Sequence, residues 1–211
     1  MKNKDNNMPT RFARFIYLAS KSPRRSELLR QIGVAHEVIV PGDGGVDETP
    51  HPDEKPAPYV ERLARSKASA GWTHLSREPG HPPAHPVLAA DTTVAVDDTI
   101  LGKPETDAEA HSMLARLSGR THHVYTALAV ASDAGVRTAL SRSTVTMRPI
   151  SDDEIRRYVA VGESADKAGA YAIQGHAAMF VERIEGSYSG VMGLPLFETA
   201  NLLIDAGLVL P

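Results

Sequence analysis

VLAADTTVAVDD, residues 87–98, is the most strand-like stretch of the chain. It is apolar up to Asp91 and apolar again after the two threonines, as expected for a strand buried inside a sheet. A carboxylate within such a strand is paired, caps a turn or has a function, because an unpaired buried charge is costly or shifts its pKa. Asp91 therefore either ends the strand in a turn or is a functional group.

The segments around this strand alternate between strand-like and helix-like patterns. Further strands are predicted at 14–20 (RFIYLAS), 36–40 (HEVIV), 122–132 (HHVYTALAVAS) and 136–148 (VRTALSRSTVTMR). Helices are predicted at 23–33, 59–71, 106–119 and 152–162, and from Pro195 to near Gly207. The last two strands meet at 133–135 as a hairpin. Because helices are interleaved with strands and a hairpin is present, we predict an α/β fold with a mixed sheet.

Composition limits the possible function classes. The 211 residues can bury a proper core, either as one domain or as two intimately packed lobes. A net charge of −3 disfavours a duplex nucleic-acid partner. The absence of cysteine excludes disulfides, thiolate metal sites and cysteine nucleophiles. No signal peptide or run of 18 apolar residues is found, which favours a cytoplasmic, soluble protein.

Familiar nucleotide and hydrolase motifs are missing. Gly102-Lys103 lacks the upstream glycine and the following Ser or Thr of a Walker loop, and no G-x-G-x-x-G follows a strand. The stretch GSYSG, residues 186–190, has Tyr188 where a hydrolase elbow needs serine. The common nucleotide-binding folds are therefore disfavoured.

Cations cluster where the first strand gives way to a helix, in LASKSPRRSELL, residues 18–29. Free backbone N–H groups and the helix dipole favour an anion at such a position. Arg24 and Arg25 would complete a phosphate site there. The alternative is that Ser22 caps the helix and both arginines point to water.

Lys67 lies on the apolar stripe of its helix with Val60, Leu63 and Ala64. Its stem either snorkels from the helix end or its ammonium contacts a buried anion. Lys103 in a turn, and Glu48 in the loop before the Lys67 helix, are ordinary when each is taken alone.

Taken together, these segments resemble one family. LASKSPRRSELL, YVERLARSKA, AADTTV, ILGKP, LSGRTHHVYTAL, DKAGAYAIQG and IEGSYSGVMGLPL occur in the order typical of the Maf family, from about Phe15 to near the C-terminus. The resemblance implies a single domain over 14–211, after a disordered extension at 1–13, with an elongated sheet like that of the inosine triphosphatases, two lobes and a central cleft. It implies hydrolysis of a nucleoside triphosphate between its α and β phosphates, which would limit non-canonical nucleotides.

Three residues resemble the dTTP/UTP pyrophosphatase subgroup. The pair Asp91-Thr92 stands where the 7-methyl-GTP subgroup has Asp-Gln, and Gln174 and Arg24 match the other two positions associated with base choice. Gln174 and Thr92 would match the N3–H and carbonyl edge of thymine or uracil. Gly190 departs from the pattern, which usually has Asn at this position. One hydrogen bond near the pocket, which the asparagine side chain would make, is therefore in doubt.

The resemblance also implies roles for the charged residues. Asp91 matches the family's proton acceptor. Arg25, Lys67 and Lys103 are suited to neutralising phosphate charge, and Ser20 to binding phosphate. Asp91 and Glu48 are suited to holding Mg²⁺ or Mn²⁺, since hard oxygen ligands and phosphates prefer such ions.

Other functions stay open at this point. A sibling activity on 7-methyl-GTP or other modified nucleotides would use the same phosphate residues. A nucleotide-binding regulator of cell division, whose hydrolysis is incidental, would carry the same charges. The sequence also leaves open a homodimer.

Overall fold

The computed structural model describes residues 15–40, 46–76 and 85–210. The predicted N-terminal extension, 1–13, lies outside the described residues. Within them the strands are β1 (Phe15–Leu18), β2 (Ala35–Val38), β3 (Val87–Val96), β4 (Thr99–Leu101), β5 (Thr121–Ser132), β6 (Gly135–Met147) and β7 (Val181–Glu185). The α-helices are α1 (Pro23–Gln31), α2 (Pro56–Leu75), α3 (Asp107–Leu117), α4 (Asp152–Ala160), α5 (Tyr188–Met192) and α6 (Leu196–Asp205).

The strands form one mixed sheet in the order β2-β1-β3-β5-β6-β7, and β4 pairs with β3 beside this path. β1 runs parallel to β2 and β3, whereas the pairs β3–β5, β5–β6 and β6–β7 are antiparallel. The parallel half contains the strand–helix–strand unit β1–α1–β2, and the antiparallel half contains the predicted hairpin. The prediction of a mixed sheet flanked by helices is confirmed.

Alternation along β3 divides the core. Val87, Ala89 and Ala95 face α2 in one apolar cluster. On the opposite face, Leu88 and Ala90 belong to a cluster with α1 and α6, while Val94 and Val96 belong to a separate cluster with α3 and α4. Thr92 stands between these last two clusters because side chains of a strand alternate with period two. The cluster with α1 and α6 and the cluster with α3 and α4 are the cores of the two predicted lobes, and the cleft opens between them.

Asp91 lies inside β3, which continues to Val96. The alternative that Asp91 ends the strand in a turn is therefore wrong. Its carboxylate is buried, with 8% of the residue exposed. A buried carboxylate requires a partner, and Lys67 is that partner.

Helix ends follow the sequence signals. Ser151 and Glu154 form a complete capping box at the start of α4, and the Thr106 side chain accepts the backbone N–H of Glu109 at the start of α3. α2 begins earlier than predicted, because Pro56 supplies a favourable first turn ahead of the apolar stripe, and it continues past the predicted end at Gly71 to Leu75. Among the described residues, no helix is both long and apolar enough to cross a membrane.

Candidate active site

A cavity of about 780 Å³ opens between the two lobes. It is lined by all nine residues that the sequence singled out: Ser20, Arg24, Arg25, Glu48, Lys67, Asp91, Thr92, Lys103 and Gln174. These residues come from the turn before α1 and α1 itself, the loop before α2, α2, β3, the loop after β4, and the loop after Ala170. The fold thus brings the dispersed candidates to one place.

Lys67 holds two carboxylates at the charged end of this cavity. Its Nζ lies 2.6 Å from Asp91 Oδ1 and 2.6 Å from Glu48 Oε1. Lys103 lies further out, with its Nζ 3.9 Å from Glu48 Oε2. The contact with Asp91 decides between the two interpretations of Lys67, since the ammonium contacts a buried anion and does not snorkel to water.

The environments of the two carboxylates differ. Burial raises the pKa of Asp91, although the charges of Lys67 and Arg25 oppose that effect. Burial also acts on Glu48, but the hydrogen bond and charge of Lys67, with Lys103 behind it, outweigh burial and lower the pKa of Glu48. Two neighbouring carboxyl groups with pKa values shifted in opposite directions are typical of sites where one acts as a base and the other stays ionised.

Arg25 is fixed by three contacts. Its Nε donates to the carbonyl of Gly193 at 2.8 Å, its Nη1 to Ser20 Oγ at 3.1 Å and its Nη2 to Thr92 Oγ1 at 3.3 Å. Arg24 Nε donates to the carbonyl of Met192 at 3.3 Å. The alternative that both arginines point to water is therefore wrong, and the Ser22 side chain makes no capping hydrogen bond.

Gln174 lines the same cavity from the loop after Ala170, and the part lined by Gln174 and Thr92 is called the neutral end. The backbone N–H of Ala172 donates to the Tyr158 hydroxyl at 3.1 Å, and that of His176 donates to Glu163 Oε1 at 3.1 Å. These two bonds hold the loop on either side of Gln174. Among residues 15–40, 46–76 and 85–210, no partner is found for the Gln174 amide, so the amide is available to a ligand.

Thr92 is bonded to its neighbour across the sheet. Thr92 pairs with Thr126 in the β3–β5 register, and their Oγ1 atoms are 2.9 Å apart. Thr126 Oγ1 donates in turn to the carbonyl of Gly190 at 2.8 Å. Because this bond uses a backbone oxygen, glycine in place of the usual asparagine does not remove it.

Sequence reasoning missed three residues here: Thr126, Gly193 and Lys167. Thr126 looks like any threonine in a strand, and only the register places it opposite Thr92. Gly193 has φ of +111°, and its carbonyl accepts from Arg25. Lys167 lines the cavity and belongs to the stretch DKAGAYAIQG. Its pKa is lowered mainly by burial and to a smaller extent by the charge of Arg24. That stretch was the only available signal for Lys167.

The charged end suits a divalent ion. Within the described residues, no group of three or more His, Cys, Asp or Glu side chains could hold a metal ion. Asp91 and Glu48 nevertheless share one partner atom in Lys67. Mg²⁺ is commonly bound by one or two carboxylates together with substrate phosphates and water, and two carboxylates fit that pattern.

Comparison with known proteins agrees with these observations. Residues 15–206 match the family described as Maf-like protein. A protein of Aromatoleum aromaticum named dTTP/UTP pyrophosphatase is 54% identical over 198 residues, which cover 91% of this chain and 95% of that protein. One of Methylobacillus flagellatus with the same name is 58% identical over 198 residues, covering 93% of this chain and 94% of that protein.

Among solved structures, the Ham1 protein of Staphylococcus aureus aligns with 65% of this chain and 72% of its own, at 18% identity and a TM-score of 0.41, which is too low to argue from. The family match extends over nearly the whole described chain, and both relatives share more than half of their residues with it. The chain therefore belongs to the Maf family.

Proposed function

We propose that this chain is a nucleoside triphosphate pyrophosphatase that hydrolyses dTTP and UTP to the monophosphate and pyrophosphate. The relatives that share more than half of its sequence carry that name. The observation that carries the proposal is a single cavity lined both by the ion-paired group Lys67, Asp91 and Glu48 and by Gln174, whose amide has no partner among the described residues. A nucleotide has the same division, with charge at the phosphates and directional hydrogen bonds at the base.

Hydrolysis requires water to attack the α-phosphorus while the bond to the bridging oxygen of the β-phosphate breaks. The carboxylate of Asp91, whose pKa is raised by burial, accepts the proton of the attacking water. Lys67, Lys103 and Arg25 neutralise charge on the phosphate oxygens as it builds on the leaving pyrophosphate. Ser20, which already contacts Arg25, offers its hydroxyl to the same phosphates.

Asp91 and Glu48 would hold the divalent ion, Mg²⁺ or Mn²⁺. When bound, such an ion neutralises phosphate charge and helps orient the phosphates for in-line attack. Lys67 contacts both carboxylates, so its ammonium keeps the two groups in place before ion and substrate arrive. Glu48 stays ionised because its pKa is lowered, which suits a metal ligand.

Base choice belongs to Gln174 and Thr92, which line the cavity. An amide such as that of Gln174 can pair with the N–H and carbonyl edge of thymine or uracil, and a purine leaves it unpaired. We also propose that the protein acts in the cytoplasm and without duplex nucleic acid, in keeping with a net charge of −3. A homodimer is a further proposal that follows from the family resemblance alone.

The test is pyrophosphate release from dTTP, UTP, CTP, dGTP, ATP and 7-methyl-GTP, with and without Mg²⁺. We expect kcat/KM for dTTP and UTP to lead the others by about one to two decades, and turnover to require the ion. A clear lead for 7-methyl-GTP would overturn the choice of subgroup but not the pyrophosphatase activity. Tight nucleotide binding without pyrophosphate release would contradict the enzyme and favour a nucleotide-binding regulator.

A further inference from the structure

Thr126 is a buried hydroxyl directly behind the cavity wall. Only 1% of the residue is exposed, and it is not among the residues that line the cavity. It touches Thr92, which does line the cavity, and the carbonyl of Gly190. A residue in this position contacts no substrate, and it can act only through Thr92.

The number of protons fixes the direction of these bonds. A carbonyl oxygen only accepts, so Thr126 must give its single hydroxyl proton to Gly190. The 2.9 Å contact between the two threonines then needs the proton of Thr92. Arg25 donates to the same Thr92 oxygen at 3.3 Å. Thr92 therefore donates its only hydroxyl proton to Thr126 and accepts from Arg25, which leaves one lone pair of its oxygen for the cavity.

Reversing this direction has a cost. If Thr92 turned its proton towards a ligand, Thr126 would have to donate to Thr92 instead of to Gly190. The Gly190 carbonyl would keep only its bond from the Gly193 N–H at 2.9 Å, and a buried hydrogen bond would be lost. Without that change, two hydroxyl oxygens would face each other at 2.9 Å with no proton between them. The resting arrangement thus favours Thr92 as an acceptor.

We propose that Thr126 is a positioning residue that makes Thr92 an acceptor and so selects pyrimidines that carry an N3–H. This inference rests on the proposed function and names the group that excludes one of its substrates. Uracil and thymine offer N3–H as a donor, whereas N3 of cytosine is an acceptor and would face another lone pair. As an acceptor, Thr92 suits a donor on the base better than an unprotonated phosphate oxygen, which Arg25 beside it can bind.

The test compares Thr126→Val, Thr126→Ser and a matched control. Valine keeps the shape and removes the hydroxyl, and serine restores the hydroxyl. Thr199→Val is the control, since Thr199 is 0% exposed and its Oγ1 likewise donates to a backbone carbonyl, that of Pro195, at 2.7 Å. Thr199 is not among the cavity-lining residues. Melting curves establish that each variant is folded.

The readout is the ratio of kcat/KM for UTP to that for CTP. In Thr126→Val the Thr92 proton is free to turn towards N3 of cytosine, so we expect this ratio to fall about fivefold, mainly through a lower KM for CTP. Thr126→Ser and Thr199→Val should keep the wild-type ratio. An unchanged ratio in a folded Thr126→Val protein, or an equal loss for every nucleotide, would overturn the proposal, because both outcomes describe a structural residue.

Binding measurements separate this inference from the proposed function. Calorimetric Kd values for UMP and CMP on the same proteins should show the same fall in preference for uracil. If the wild type binds UMP but releases no pyrophosphate from UTP, the proposed function fails, and the Kd ratio still decides the role of Thr126. Wild type that binds neither monophosphate would overturn the inference as well.

A second variant covers the case in which Thr126→Val does not fold. Thr92→Val removes the acceptor itself, so UMP should bind several-fold more weakly, while CMP, whose N3 no longer faces a lone pair, should bind at least as tightly as before. Equal weakening of UMP and CMP would contradict the assignment of Thr92 to N3–H.

Discussion

The two ends of the cavity use different physical means. At one end, Lys67 holds Asp91 and Glu48 through two contacts of 2.6 Å between opposite charges. At the other, Thr92 is set by a chain of hydroxyls that ends on the Gly190 carbonyl and by one bond from Arg25. Charges act in every direction, whereas a hydrogen bond distinguishes donor from acceptor. The charged end can therefore drive the reaction of any triphosphate, whereas the directional hydrogen bonds of the neutral end distinguish the bases.

This comparison predicts separable effects. Changes at the charged end should lower turnover of all nucleotides alike, because every nucleotide carries the same triphosphate. Changes at the neutral end should alter the ratios between bases and leave the best substrate nearly as fast. A variant at one end that produced the effect expected of the other end would show that the two ends are coupled.

The largest expected effect is that of Asp91→Asn. The amide keeps the size of the side chain but cannot accept the proton of water, so single-turnover hydrolysis should fall by about two orders of magnitude or more for dTTP and UTP alike. The fold should persist, since asparagine can still accept a hydrogen bond from Lys67. Rapid quench kinetics and a melting curve are the measurements. A well-folded variant with wild-type turnover would remove Asp91 from its role.

The next largest effect is expected for Lys67→Ala, and Lys103→Ala is the variant with which it is compared. Lys67 is largely buried between two carboxylates, with 20% of its side chain exposed, whereas 59% of the Lys103 side chain is exposed. Removing Lys67 should lower turnover by about ten- to a hundredfold and also cost about 1–3 kcal/mol of stability, since Asp91 loses its partner. Removing Lys103 should lower turnover with at most about 1 kcal/mol of stability lost.

Urea denaturation and steady-state kinetics on both variants check this pair. In each variant, turnover should suffer more than the melting temperature. If Lys67→Ala mainly unfolds the protein and its folded fraction turns over normally, Lys67 is a structural ion-pair partner and nothing more.

The pH profile tests the charged end without removing Asp91. Because burial raises the pKa of Asp91, the proton acceptor is lost, and kcat/KM falls, as pH drops through a value above the ordinary one for aspartate. Lys67 opposes that rise, so Lys67→Met should move this acid limb to higher pH. A limb that does not move in Lys67→Met would mean that another group controls it.

Stability changes with pH in the opposite direction for this one group. The native state holds the Asp91 proton more tightly than the unfolded chain does, since the folded pKa is raised. The contribution of Asp91 to the free energy of unfolding is therefore fully present below the unfolded pKa and is lost as pH rises through the folded one. In Asp91→Asn this part of the pH dependence of urea stability should disappear.

The two ends also differ in how well the sequence predicts them. Asp91 and Lys67 stand out because a charge on an apolar strand or stripe is anomalous by itself, and each needs a partner. Their partnership, and the burial of Asp91 within β3, follow from the fold. Most strands and helices were predictable because periodicity and capping residues are local signals, whereas the short elements β4, β7 and α5 were not predicted.

Thr126 carries no such signal. A threonine in a strand is unremarkable, and its role depends on the register that sets it opposite Thr92 and on α5 bringing the Gly190 carbonyl within 2.8 Å. Register and helix placement are set by contacts between residues far apart in sequence. The sequence could name Thr92 through a family resemblance, but the direction of its hydrogen bond became visible only in the fold.

The smallest expected effect lies in the loop that carries Gln174. A Cβ on Gly175 would clash with Glu163 Oε1, so Gly175→Ala must displace that carboxylate. Glu163 is the flexible partner and can move, but its bond from the His176 N–H, which holds the loop, would then be lost. We expect a loss of about 1 kcal/mol of stability and a change of a few-fold in the kcat/KM ratio of UTP to ATP, with kcat for UTP nearly unchanged.

Glu163→Gln is the matched control, because its amide oxygen can still accept the His176 N–H beside an intact Gly175, and it should keep the wild-type ratio. Equal slowing of all nucleotides by Gly175→Ala would show that this loop also shapes the charged end, and the division between the two ends would fail.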